Sequence, residues 1–139
     1  MAFECSTLMK ALVAWAATHL ALRDKSFQDI SLRHRGSALT NSNLSMEENE
    51  ISSEMCLAVA MVFCSMESIS DRTGSWYHHL TGGAAALGAM RNETTTIQST
   101  SRYSGMASFE GKWLLRNFAY HDVLMSVSRN CRPLISRDY

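Results

Sequence analysis

The residues with chemistry to offer are few and scattered. His78 and His79 stand side by side, His121 is followed by Asp122, and Cys5, Cys56, Cys64 and Cys131 are spread along the chain. A zinc centre would take His79 with Cys56 or Cys64, yet no C-x-x-C pair or comparable ligand spacing is present. His121 and Asp122 suggest an acid–base pair, but neighbours at i and i+1 on a helix do not face each other. Ser126 and Ser128 lack the strand–turn–helix setting of a nucleophile elbow. Arg33, His34 and Arg35 make a basic cluster smaller than a nucleic-acid footprint, so they read as a solvated helix face. The expectation is no catalytic residue, no metal ligand and no cofactor. The thiols read as buried rather than disulfide-linked, as in a reducing compartment, and His79 reads as a core histidine bonded to a neighbouring helix.

The elements that must position these residues are helices. Leu8, Leu12, Trp15, His19 and Leu22 recur at steps of three and four, which predicts a helix from about Ser6 to Arg23. Ser26 is the expected cap of a second helix, about Phe27 to Leu39, with Phe27, Ile30, His34 and Ala38 on one side. Asn41-Ser42-Asn43 has turn composition. The run around Met55 to Cys64 is apolar throughout, and a helix apolar on all sides is buried on all sides. Residues Ile51 to Ser68 are therefore expected to form the central helix. After a short turn, Trp76, Leu80, Gly83, Leu87 and Met90 mark one face of a helix returning antiparallel to it, capped by Ser75. Gly82 and Gly83 sit inside that helix at a cost of roughly 1 kcal/mol each, which predicts that a neighbouring backbone comes very close.

Residues 92–104 hold seven Ser or Thr among thirteen and are expected to be a flexible loop. Ser108 then caps a last helix, about Phe109 to Ser128. Its stripe of Phe109, Trp113, Tyr120, Leu124 and Val127, widened by Leu114, Phe118 and Met125, exceeds what one antiparallel neighbour buries. An apolar patch should remain exposed there. The fold class is all-α: one domain over residues 1–139, an antiparallel bundle or the start of an α-solenoid with about five helices.

The stretch holding Gly74, Trp76, His79, Leu80 and Gly82 resembles the fungal-specific transcription factor domain, the regulatory region of many fungal zinc-cluster regulators. A second match runs through Phe118, Tyr120, His121 and Asp122, followed by Arg132-Pro133-Leu134, and a third joins Ala14–Leu22 to the His34–Leu39 stretch. The matches span roughly residues 8 to 135 in the family's order and correspond to its N-terminal portion. Gly83 stands where the family usually has alanine, and Arg35 where an aromatic residue is expected. The resemblance implies a nuclear role in controlling RNA polymerase II transcription. It also implies later helices that would continue the packing over the last helix.

The family reads DNA through a separate module of six clustered cysteines holding zinc, which is not found in this sequence. No direct DNA binding is therefore expected, and zinc belongs only to that module. Formal net charge is zero, with 46% hydrophobic and 19% charged residues, so no general basic field attracts nucleic acid or anionic membrane. The N-terminus has no basic residue before Lys10, unlike a signal peptide, and no apolar run approaches the roughly 20 residues that span a bilayer. Expected partners are proteins, or a second copy of the chain, met through exposed apolar helix faces. The alternative is a truncated helical interaction module with no transcriptional role. An enzyme or ligand-binding bundle would need a polar pocket of converging side chains, and the sequence offers none.

Overall fold

Cys5 caps the first helix, α1 (Ser6–Arg23), its Sγ accepting from the Leu8 amide at 3.5 Å. The computed structural model describes residues 5–48, 50–70, 74–96 and 108–135, with residues 91–96 described in backbone only. The remaining helices are α2 (Gln28–Glu47), α3 (Ser53–Ser70), α4 (Trp76–Thr96) and α5 (Phe109–Arg129), and a 3-10 turn at Lys25–Phe27 leads into α2. There is no strand among the described residues.

α3 is the centre. From Ser53 to Glu67 none of its residues is exposed, and it packs against α1, α4 and α5. Leu57, Val59, Met61, Phe63, Cys64 and Met66 form the middle of one core with Leu80, Leu87 and Met90 of α4 and Leu114 and Phe118 of α5. The face of α4 marked by Leu80, Gly83, Leu87 and Met90 is buried as its periodicity predicts, and Trp76 is half-buried. By length and composition alone α3, with 18 residues and a mean hydropathy of 1.3, could cross a membrane, which the sequence reading did not anticipate. Half of that window is buried inside the bundle.

The first two helices depart from expectation. The side of α1 that is buried carries Thr7, Leu8, Ala11, Ala14, Ala17 and Thr18, while His19 and Leu22 are exposed. α2 does not turn at Asn41-Ser42-Asn43 but runs on to Glu47, and it buries Ser31, Ala38, Ser42 and Ser45 rather than Phe27, Ile30 and His34. Small side chains let the two helices approach, and their hydroxyls find partners across the gap. Thr7 Oγ1 donates to Asn41 Oδ1 at 3.2 Å and shares a 3.1 Å bond with Ser45 Oγ. Thr18 and Ser31 hydroxyls lie 3.0 Å apart. Apolar periodicity cannot see an interface built of serine, threonine and alanine.

The cap before α2 also differs. Asp24, not Ser26, supplies the acceptor, taking the Ser26 amide at 2.8 Å, and Phe27 at the α2 N-terminus makes no side-chain cap bond. At α5 the expected cap holds, with Ser108 Oγ accepting from the Gly111 amide at 2.8 Å. α5 ends on Asn130 in the left-handed region, φ 51°, a position asparagine tolerates better than most residues. Residues 92–96 of the expected loop belong to α4, and 97–104 lie outside the described residues.

Candidate functional site

The most polar point of the core is one that sequence reasoning missed. Glu67, on the last turns of α3, has a side chain only 2% exposed. A carboxylate in that setting must be paired and hydrogen-bonded, and three elements supply the partners. Arg35 of α2 reaches Oε1 at 2.5 Å, His79 of α4 approaches the same oxygen with Nε2 at 3.2 Å, and the Ser75 hydroxyl donates to Oε2. Burial pushes the Glu67 carboxyl up, but the Ser75 bond, the His79 charge and bond, and the Arg35 charge outweigh it and hold it below the usual glutamate range. The same burial, with Glu67 nearby, raises the Cys64 thiol to about 11, a protonated and unreactive state.

His79 is bonded to a neighbouring helix as expected, but it is half-buried rather than in the core, its ring tilted at 5.2 Å from that of Phe63. Arg35 is not on a solvated face; it is the cation of this cluster. The signal in the sequence was a lone glutamate near the end of the most apolar helix.

A second set of contacts fixes α5. The Phe118 ring is fully buried and lies where a Cβ on Gly83 would come within 2.8 Å of its Cε2. The close approach predicted for the glycine pair thus belongs to Gly83 alone and is made by a ring rather than a backbone. A Cβ on Gly82 would meet nothing within 4 Å. At the far end, Arg129 of α5 lies over the Tyr77 ring at 4.3 Å and the Trp76 ring at 5.8 Å, tying α5 to the start of α4. Asp122, 2% exposed, accepts from the Leu134 and Ile135 amides, each at 2.9 Å, and folds the segment after α5 back onto it. His121 is half-buried beside it with an unpartnered Nδ1, and burial lowers its pKa. The two side chains do different work, as their i and i+1 spacing requires.

So held, α5 turns inward with Gly111, Leu114, Phe118, Asp122 and Ser126. It turns outward with Phe109 at 80% exposure, Val127 at 76%, Tyr120 at 63% and Trp113 at 57%, joined by Val123 and Leu124. This is an aromatic and aliphatic face, interrupted by the exposed Arg116, of the kind that marks contact surfaces. Phe109 and Trp113 also wall a groove of about 410 Å³ whose other side is Leu8, Leu12 and Trp15 of α1. A wider cleft of about 600 Å³ lies where α1, α3 and α5 begin. Glu54 and Glu110 there complement the positive ends of α3 and α5, and the Ser108 hydroxyl donates to Glu54 at 3.1 Å.

The motif residues thus divide. Trp76, His79, Leu80 and Phe118 support packing, Asp122 anchors backbone, Gly82 is open, and Tyr120 belongs to the outward face. Among the described residues no three His, Cys, Asp or Glu side chains are grouped to hold a metal ion. None of the four cysteines is in a disulfide, and of them only Cys64 is buried, Cys131 being exposed.

A family model described as the fungal specific transcription factor domain matches residues 1–139, the whole chain. No curated protein and no solved structure matches it.

Proposed function

The chain belongs to the fungal specific transcription factor domain family, and from that premise we propose that it is a regulatory, protein-contacting part of a nuclear factor controlling RNA polymerase II transcription. The family places the chain in transcription regulation and is not an enzyme class. The observation that carries the protein-contact reading is the outward face of α5, where Phe109, Trp113, Tyr120 and Val127 are each more than half exposed. A helix bound rigidly at both ends, with its aromatic side left uncovered, suits recognition of another protein surface. Zero formal net charge and the lack of a six-cysteine cluster in this sequence favour action without direct DNA reading.

The test is a reporter assay in a fungal nucleus. The full chain is fused to an unrelated DNA-binding domain and recruited to a promoter. It should change reporter output, and Trp113→Glu with Val127→Glu, both at exposed positions, should remove the change while the protein stays folded and expressed. Unchanged output from the parent fusion would overturn the transcriptional reading in favour of a non-transcriptional interaction module.

A further inference from the structure

The outward face of α5 has a period of its own. Phe109, Trp113, Arg116, Tyr120, Val123 and Val127 follow one another at steps of four, three, four, three and four, and all are exposed. Alternating fours and threes are the spacing at which a second helix seats side by side. So short a seam would not hold two unfolded peptides together, because helix nucleation is costly. Here α5 is already folded against α3 and α4, so the seam is preformed.

Arg116 decides which helix fits. In a parallel pair of identical helices it would meet Arg116 of the second copy, a like-charge contact inside an apolar seam. The steps are symmetric about position 118, so an antiparallel pair sets Arg116 over Tyr120 of the second copy, Trp113 against its Val123 and Phe109 against its Val127. A guanidinium over a tyrosine ring is attractive, and the chain already uses that contact between Arg129 and Tyr77. The two-fold arrangement makes every contact twice, and zero formal net charge leaves no general repulsion between copies. Resting on the protein-contact reading above, we infer that α5 pairs antiparallel with α5 of a second copy of this chain, with reciprocal Arg116–Tyr120 contacts at the centre of the seam.

Sedimentation equilibrium of the full chain should show a monomer–dimer equilibrium. Trp113→Glu or Val127→Glu should weaken it on the order of thirtyfold or more, as loss of an apolar anchor does, with helical circular dichroism unchanged. Direction is read by cross-linking in a Cys131→Ser background. A mixture of Phe109→Cys and Val127→Cys chains should give a disulfide-linked heterodimer, and Val127→Cys alone should not cross-link. A monomer at every concentration, a dimer indifferent to both glutamates, or Val127→Cys linking to itself each overturns the inference. None of these outcomes bears on whether the recruited chain changes reporter output, so failure of the seam and failure of the transcriptional reading are distinguishable.

Discussion

Adjacent glycines can carry opposite meanings. At Gly82 an added methyl meets open space, so Gly82→Ala should raise stability by about 0.5–1 kcal/mol through helix propensity alone. At Gly83 the same methyl meets the buried Phe118 ring at 2.8 Å. Overpacking of about 1–3 kcal/mol then exceeds the propensity gain, and Gly83→Ala should lower stability. Urea denaturation of the two variants checks both signs. Glu67→Gln should cost about 2–3 kcal/mol, less than for a fully buried pair because the Arg35 side chain is 31% exposed and can turn to water. The folded Glu67 carboxyl titrates below its unfolded value, so its contribution is complete above about 4.5 and is lost as pH falls through the folded value. A pH series of denaturation midpoints should show that acid loss in the parent and a smaller one in Glu67→Gln. Neither Glu67 nor Arg35 was legible as a partner in the sequence, because the pairing joins residues 32 positions apart on different helices.

At the scale of elements, legibility followed the apolar pattern. α3 and α4 are rich in large apolar side chains at helical spacing, and their location, pairing and buried faces could be read directly. The second half of α2 and its buried face could not, because Ser31, Ser42 and Ser45 stand at its buried positions, and serine and asparagine clusters ordinarily signal turns. In α5 the most conspicuous stripe faces out, while the inward side includes Gly111, Asp122 and Ser126. Gly111 and Ser126 are satisfied locally, by the Ser108 cap and the Val123 carbonyl, whereas Asp122 is suited to the inside by a tertiary contact, as acceptor for the returning Leu134 and Ile135 amides. Removing that acceptor should release the return segment without melting α5. Asp122→Ala should therefore speed hydrogen exchange at the Leu134 and Ile135 amides first, and equal exchange in parent and variant would show that they are held some other way.

The whole molecule is built from two unlike halves, joined where α1 packs on α3. One is the core of α3, α4 and α5, where Leu, Met and Phe side chains meet. The other is the α1–α2 seam, closed by alanines and by the Thr7–Ser45 and Thr18–Ser31 hydroxyl pairs. Heat capacity separates them. Exposing apolar surface raises it and exposing polar surface lowers it, so parting α1 from α2 changes it little, whereas opening the α3 core changes it much. The attraction within the core accordingly fades as the protein is cooled, while the hydroxyl seam keeps nearly the same enthalpy at every temperature. Near freezing the balance of strength between the halves shifts toward the seam, and the cold-labile part of the molecule is the part that carries α5.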